Sequence, residues 1–288
     1  MPLHAVIITH TDRLLEPVLL GAATQTLPAR EIVIGVDGDD PTIRASVQRA
    51  ANRVGRSMTL VTRPHQGEAR SGQVRNNAVR CLARTPDVCP ADRVLVLDGD
   101  TIPASDCFEA HERIGGPRHT VLGLRHMLSE LQSSTINADT LLAGRPPCEL
   151  TSEQESVLRT LSRRWRRNLW LRKFRIIKRH KPQLISCHFS CILQGWVDVN
   201  GFDEEYTGYG FEDDDFGRRL YEAGFPPRLA YREATAWHQY HPTRADLRVR
   251  DYSNFERFQQ PWTVRCEHGL EHCLPQPDPI VERIEPSS

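Results

Sequence analysis

Short apolar runs alternate with segments of helical spacing over the first hundred residues, and this alternation limits the fold more than any other feature. The runs are rich in β-branched residues and predict strands at His4–Thr9, Glu31–Val36, Met58–Thr62 and Arg93–Leu97. The spacing between them predicts helices at Leu14–Ala23, Ile43–Val54 and Gly72–Leu82. Buried strands that alternate with helices of this length are typical of a doubly wound α/β sheet.

Acidic residues follow two of these predicted strands directly. Asp37 comes after the second strand, and Asp98 and Asp100 flank Gly99 after the fourth. Doubly wound sheets bind ligands outside the carboxyl ends of their strands. Hard divalent cations prefer oxygen ligands and often keep substrate phosphates in their shell. Taken alone, the Asp-Gly-Asp sequence suits an ordinary turn better than a metal site. The Thr-Ile-Pro that follows it and the matching turn at Asp37 favour the metal site instead.

A second acidic region lies much later in the chain. Residues 201–216 contain seven acidic residues and no basic ones, interspersed with Tyr209, Gly210 and other aromatic and glycine residues. One or two acids at a helix start would favour the helix dipole, but four in a row repel one another. Crowded carboxylates raise one another's pKa, which suits a general base. We interpret this region as catalytic rather than as a solvated helix cap.

Two histidines, His238 and His241, lie three residues apart after an apolar run. Neutral imidazole is a common ligand of transition metals. A metal role and a structural role are about equally supported by the spacing alone. Near the C-terminus, the cysteines and histidines of 266–273 have a spacing that fits no zinc motif.

Residues 115–183 depart from the α/β pattern, and we interpret them as a helical insertion. A long helix is predicted at Ser152–Arg179, with an apolar stripe along one face. Within Arg163–Lys181, ten residues are Arg or Lys, interleaved with aromatic residues. This segment suits a lid, an acceptor platform or contact with an anionic membrane surface, or simply a solvated helix.

The composition limits which binding partners and which cellular location we expect. Lys and Arg together number 37, as do Asp and Glu, so the formal net charge is zero. A balanced chain has no overall field that would recruit nucleic acid. The N-terminus lacks a basic leader, and no stretch approaches the roughly 20 apolar residues of a membrane span. We therefore expect a cytoplasmic protein whose eight cysteines are reduced thiols.

Several motifs together resemble the family 2 glycosyltransferases, which have the GT-A fold, a Rossmann-like doubly wound mixed sheet. The segments that carry the resemblance are Val6–Arg13, Val36–Gly38, Gln66–Asn76 and Leu97–Pro103. The stretch Asn200–Asp215 is similar to the C-terminal motif of β-1,4-galactosyltransferases and chondroitin-polymerase-type modules. Thr9-His10 stands where the family usually has Pro-Thr, and Phe211 stands where the galactosyltransferases have a glycine.

The resemblance implies a UDP-sugar donor and a divalent cation, Mn²⁺ or Mg²⁺. Asp37 would accept a hydrogen bond from the uracil N–H, and Thr9 and Arg75 would lie near the nucleotide. The implied metal residues are Asp98, Asp100 and His238, with Asp100 as the direct ligand and Asp98 as a ribose or water-mediated partner. Asp98 and Asp100 thereby also belong to the donor site.

The same resemblance assigns the acceptor side. Asp213 is the favoured general base, and Glu212 is the competing candidate, which also shapes the acceptor site. Tyr209, Gly210 and Phe211 complete that site. One base beside a metal-bound leaving group fits direct displacement with inversion at the anomeric carbon.

The predicted organisation is one GT-A catalytic domain over 1–245 followed by a C-terminal extension, 246–288. The domain comprises a nucleotide-sugar half, 1–113, the insertion, 115–183, and an acceptor half, 184–245. The leading alternative is a nucleotidyltransferase or a sugar-nucleotide-modifying enzyme. The others are a non-catalytic nucleotide-sugar or carbohydrate-binding module and a nucleic-acid-binding protein that uses Arg163–Lys181.

Overall fold

A computed structural model describes residues 1–177, 184–242 and 254–287, which form a mixed sheet packed between helices. The strands in this part of the chain are β1 Leu3–Thr9, β2 Ile32–Asp37, β3 Met58–Arg63, β4 Arg93–Asp98, β5 Thr101–Pro103, β6 Thr120–Met127, β7 His188–Ile192, β8 Pro227–His238 and β9 Ile280–Ile284. The helices are α1 Leu15–Ala23, α2 Pro41–Val54, α3 Ser71–Ala83, α4 Cys107–Gly115, α5 Glu130–Ser134, α6 Ala138–Leu142, α7 Ser152–Lys173, α8 Leu193–Val199, α9 Glu212–Glu222 and α10 Phe255–Gln259.

The sheet has the order β5-β8-β6-β7-β4-β1-β2-β3-β9. Strands β4, β1, β2 and β3 run parallel, whereas β7 is antiparallel to both β4 and β6. Every residue of β1 is buried, as expected for a central strand covered on both faces. The parallel half confirms the strands and helices that the sequence predicts for residues 4–97, with ends that differ by one or two residues.

Two apolar clusters cover the two faces of the sheet. One packs α1, α2 and α4 against one face, and the other packs α3, α8 and α9 against the opposite face. In the second cluster Phe216 stacks on Phe202 at 4.2 Å and lies 4.8 Å from Trp196. These buried aromatic side chains fix the acidic region 201–216 to the sheet.

The predicted insertion at 115–183 begins too early. Strand β6 lies within it and pairs with β7 and β8 inside the sheet. Arg125 and His126 interrupt the apolar pattern of this strand, which hides it in the sequence. The helix within the segment ends at Lys173 rather than at Arg179, and residues 178–183 lie outside the described part of the chain.

The apolar stripe of α7 is confirmed by its burial. Leu158 and Trp165 are buried, and Leu161 packs against the same cluster, so this face of the helix lies on the core. Leu169, the fourth member of the stripe, is partly buried.

Two further strands lie in the second half of the chain. Strand β7 begins at His188 and ends at Ile192, and Leu193 already starts α8. The proline-rich C-terminal extension contributes β9, which pairs antiparallel with β3 at the sheet edge. No helix among the described residues is long and apolar enough to cross a membrane.

Candidate active site at the carboxyl edge of the sheet

The register of the parallel strands gathers three predicted donor residues at one edge of the sheet. Thr9 ends β1 and pairs with Val36, which directly precedes Asp37. Asp98 ends β4 and pairs with Ile8, directly before Thr9. Thr9, Asp37 and Asp98 therefore lie side by side, as predicted for the ligand-binding edge of such a sheet.

Gly99 allows the acidic turn to pack closely on β1. A Cβ atom at this position would lie 2.8 Å from Cβ of Thr9 and 3.1 Å from the carbonyl oxygen of Ile8. The backbone N–H of Gly99 donates to that same carbonyl at 2.7 Å. The glycine thus fixes the positions of the two flanking carboxylates.

Asp100 lies against two histidines. Its Oδ2 is 3.3 Å from Nε2 of His238 and 3.2 Å from Nε2 of His241. His238 ends β8 and is brought there by pairing with Thr101 in β5. Burial alone would raise the pKa of Asp100, but the hydrogen bond and the charge of His238 lower that pKa to about 2. The carboxylate therefore stays ionised beside two imidazole nitrogens, a donor set that suits Mn²⁺ or a similar cation.

Asp98 forms an ion pair with Arg75. Nη2 of Arg75, on α3, donates to Oδ1 of Asp98 at 3.0 Å. At this sheet edge, the described residues that approach one another closely enough to bind one cation are Asp100, His238 and His241. An indirect, ribose or water-mediated role of Asp98 stays a prediction.

The turn before β7 joins the two acidic regions. The backbone N–H of Ser186 donates to Oδ2 of Asp213 at 3.1 Å, and the carbonyl of Cys187 accepts from the N–H of Asp98 at 3.3 Å. Asp213 in the first turn of α9 and Asp98 at the end of β4 are thus connected through one peptide segment.

The environment of Asp213 suits a base that works near neutral pH. Partial burial and the neighbouring Glu212 raise its pKa to about 7, although Arg75 and the Ser186 hydrogen bond oppose the shift. Glu212 accepts a hydrogen bond at 3.2 Å from Oγ of Ser71, in the first turn of α3. Helix α3 therefore supplies both Ser71 and Arg75 to the carboxylates of α9.

The rest of the acidic run has mainly a structural role. Asp215 is buried and bridges Arg218 and Arg219, each at 2.7 Å. Arg219 in turn donates to the carbonyls of Val199 and Gly201. These contacts anchor the first turn of α9, so Asp215 serves packing, whereas Glu212 and Asp213 stay candidates for chemistry.

The predicted acceptor residues lie on the loop before α9. Tyr209 is 61% exposed, and the carbonyl of Gly210 accepts from the side chain of Asn254. Phe211 adopts a left-handed backbone with φ of 71°, a conformation that glycine adopts without strain. Its ring stacks on Phe258 of α10 at 4.8 Å, so it packs on the C-terminal extension and not toward an open acceptor site.

Asp37 and Thr9 are engaged within the protein. Arg63 donates to one oxygen of Asp37, and the backbone N–H of Arg70 lies 3.3 Å from the other. Thr9 uses its hydroxyl for the turn, donating to the carbonyl of Thr11 at 2.6 Å. Both residues line the predicted donor edge, and their direct contact with a nucleotide remains a prediction.

Two residues at the site lie outside the ligand set that the family resemblance implies. The spacing of His241 from His238 predicts a possible metal residue, but the implied ligand set contains only His238. Arg125, near the end of β6, interacts electrostatically with Asp98, Asp100 and Asp213. Assigning β6 to an insertion concealed Arg125, because an arginine on a supposed surface helix carries no signal for a site.

The C-terminal cysteine and histidine residues form no metal cluster within the described ranges. Sγ of Cys266 contacts backbone carbonyls, including that of Asn200 at 3.5 Å. His268 pairs with Glu205 at 2.7 Å. Cys266 and His268 are thus engaged in contacts within the protein.

Replacing Arg75 with methionine should destabilise the protein more at pH 8 than at pH 5. The change removes the guanidinium that pairs with Asp98 and lowers the pKa of Asp213, so both pKa values rise further even though Arg125 remains. Carboxyl groups with raised folded-state pKa values oppose folding as they ionise with increasing pH. We expect a loss on the order of 3 kcal/mol at pH 8.

Urea unfolding at both pH values measures this loss. The matched control is Arg49→Met, which removes the ion pair between the exposed Arg49 side chain and Glu16. Its effect should stay within about 0.5 kcal/mol at either pH. Equal destabilisation of the Arg75 variant at pH 5 and pH 8 would contradict the proposed charge balance.

Comparison with known proteins adds to this geometry. A family model described as the N-terminal domain of galactosyltransferase matches residues 169–241. The matched segment contains Glu212, Asp213, His238 and His241. A search of curated protein sequences finds no significant match to the chain.

Solved structures share the fold at low sequence identity. GalNAc-T7 aligns with a TM-score of 0.54 and 12% identity over 84% of this chain and 44% of its own. Glucosyl-3-phosphoglycerate synthase from Mycobacterium tuberculosis aligns with a TM-score of 0.47 and 13% identity over 89% of this chain and 75% of its own. Drosophila β-1,4-galactosyltransferase 7 aligns with a TM-score of 0.48 and 11% identity over 94% of this chain and 84% of its own.

The chain spans less than half of GalNAc-T7, and at this identity the likeness shows the fold alone. The fold and the family match together confirm the predicted GT-A fold and the predicted enzyme class. The chain has the GT-A fold, and its residues 169–241 are similar to the galactosyltransferase family model.

Proposed function

We propose that the protein is a metal-dependent, inverting glycosyltransferase that transfers a sugar from a UDP-sugar to an acceptor hydroxyl. The observation that carries the proposal is the placement of two chemically different centres at one sheet edge. Asp100 with His238 and His241 offers an ionised metal site. Asp213, linked to Asp98 through the turn before β7, offers a base.

The residues around the proposed donor site fit a diphosphate. Nε and Nη1 of Arg75 are buried without a hydrogen-bond partner among the described residues. Buried guanidinium N–H groups need acceptors, and phosphate oxygens match the geometry of arginine. The GalNAc-T7 structure, which shares the fold, contains UDP, GalNAc and Mn²⁺. A divalent cation bound at Asp100 supplies positive charge against a diphosphate leaving group.

The chain's own acid–base chemistry centres on Asp213. Ser186 holds its Oδ2, and Oδ1 has no hydrogen-bond partner in the described structure. The unpartnered oxygen is the atom that takes the acceptor's hydroxyl proton as that oxygen attacks the anomeric carbon. Oδ1 is shielded from solvent, which keeps Glu212 as the alternative base. Attack from the side opposite the leaving group inverts the anomeric carbon.

The exposed face of α7 supports a proposal about location. Trp170, Phe174 and Ile176 are each more than half exposed, and the rings of Trp170 and Phe174 lie 4.9 Å apart. Exposed basic residues surround them, namely Arg163, Arg164, Arg166, Arg167, Lys173 and Arg175. Aromatic residues beside arginines suit an anionic membrane surface. We therefore propose a cytoplasmic protein that touches the membrane peripherally through this face.

UDP binding should depend on a divalent cation and on His241. Calorimetry with Mn²⁺ and then with EDTA measures the dependence on the cation. His241→Ala should weaken UDP binding at least about tenfold in Mn²⁺, because it removes a metal contact. His272→Ala, which changes an exposed histidine away from the site, serves as the control. Equal affinities in Mn²⁺ and EDTA would remove the metal from the mechanism.

Asp213→Asn should abolish most transfer while leaving UDP affinity nearly unchanged. Loss of a general base commonly lowers the rate about 10²–10⁴-fold. The wild-type rate should rise with pH through about 7, because the protonated carboxyl cannot accept a proton. A screen of UDP-sugars for release of UDP identifies the donor for these measurements. Kinetics of Glu212→Gln in parallel decide the assignment, since near-normal transfer by Asp213→Asn would leave Glu212 as the base.

Membrane contact through α7 predicts binding to anionic vesicles that weakens with salt. Co-sedimentation with phosphatidylserine-containing vesicles should exceed that with pure phosphatidylcholine vesicles. Trp170→Ala with Phe174→Ala should lower binding several-fold, at roughly 25 cal/mol for each Å² of lost apolar contact. Leu131→Ala, at a residue that is 74% exposed elsewhere, is the control. Equal binding by the double variant would refute this use of the helix.

A further inference from the structure

A buried cluster of one cysteine and two histidines lies below the candidate active site. Cys107 and His111 are one turn apart on α4, and His188 is the first residue of β7. Nε2 of His188 is 3.3 Å from Sγ of Cys107 and 3.0 Å from Nε2 of His111. The three side chains, which we name the Cys-His-His cluster, are essentially inaccessible to solvent.

The hydrogen bonds of the cluster fix the proton on His188. Its Nδ1 lies 3.2 Å from the carbonyl oxygen of Leu124, and a carbonyl only accepts, so Nδ1 carries the proton. In the neutral ring with its proton on Nδ1, Nε2 has a lone pair. Both Cys107 and His111 therefore converge on one lone pair, which can fully satisfy only one donor.

The neighbouring backbone makes room for this arrangement. A Cβ on Gly123 would lie 2.3 Å from the His188 ring. The pairing of β6 with β8 shifts register between Gly123 and Leu124, which turns the Leu124 carbonyl toward the ring. On the far side of the cluster, Nδ1 of His111 forms a hydrogen bond of 2.9 Å with Oγ of Ser190. Both imidazoles are thus oriented through their outer nitrogens, as metal-bound histidines usually are.

We propose that the Cys-His-His cluster binds a zinc ion. Zinc bonds of about 2.0–2.1 Å to nitrogen and 2.3 Å to sulfur place ligand atoms roughly 3.3–3.6 Å apart. The three ligand atoms already lie within 4.8 Å of one another. Thiolate and imidazole ligands select zinc, whereas the Asp100 site with its carboxylate suits manganese. Binding forms a Zn–S bond to Cys107, and the thiol proton leaves to solvent.

The bound ion would have a positioning role. It would tie α4 to β7 directly beside Cys187, whose carbonyl accepts from the N–H of Asp98. His188 also pairs with Leu97, the residue before Asp98. A metal link at this point stabilises the floor of the active site and takes no part in the transfer reaction.

Cobalt(II) substitution tests the site through its thiolate. Protein produced in cobalt-supplemented medium should show a near-ultraviolet thiolate-to-cobalt charge-transfer band. The Asp100, His238 and His241 site contains no thiolate, so the band cannot arise from that site. Zinc analysis of protein purified without a metal-chelating tag should give on the order of one ion per chain.

Cys107→Ser separates a metal site from a hydrogen-bond network. A serine hydroxyl can donate to His188 as the thiol does, but it is a poor zinc ligand. The variant should lose the band and the zinc, whereas Cys191→Ser should keep both. Cys191 is an equally buried cysteine of β7 outside the cluster.

Absence of both zinc and the cobalt band from the wild-type protein would overturn the proposal. So would a band of equal intensity in Cys107→Ser. The wild-type measurements decide the question even where Cys107→Ser does not fold. Failure of UDP binding leaves this inference intact, because the cluster shares no ligand with the proposed donor site.

Discussion

The buried guanidinium of Arg75 is the interaction on which the candidate active site depends. Carboxylates from two distant parts of the sequence, Asp98 on β4 and Glu212 and Asp213 on α9, lie within its electrostatic reach. Without a cation among them, these carboxylates would repel one another and resist burial. Its guanidinium also lies 5.3 Å from the ring centre of Phe202, which belongs to the aromatic core. The same residue thus balances the site's charge and connects it to the packed interior.

This arrangement gives two carboxylates opposite properties within one cleft. The hydrogen bond and charge of His238 bring the pKa of Asp100 to about 2 despite burial. Burial and Glu212 raise the pKa of Asp213 to about 7. An ionised ligand for a cation and a base poised near neutrality are the two functions that metal-assisted transfer to a hydroxyl requires. Residues of the same chemical type therefore acquire different roles through their surroundings.

The sequence predicts the site where chain order and geometry coincide. Parallel strands place Thr9, Asp37 and Asp98 at one edge, so a motif that follows each strand is enough to locate them. Prediction from the sequence fails where a contact depends on pairing between distant segments of the chain. Arg125 reaches the site only because β6 enters the sheet between β7 and β8. The Cys-His-His cluster likewise depends on long-range pairing. His188 lies 81 positions after Cys107 and 77 after His111, and no local spacing indicates such contacts.

The C-terminal extension shapes the acceptor side more than its sequence suggests. Phe211 keeps the left-handed backbone that glycine would adopt without strain, which costs a bulky residue roughly 1–2 kcal/mol. Stacking of its ring on Phe258 offsets part of that cost, and Asn254 holds the adjacent carbonyl of Gly210. Both partners lie beyond the segment that matches the galactosyltransferase model. The conformation of the loop before α9 is therefore set in part by residues outside the segment that matches the family model.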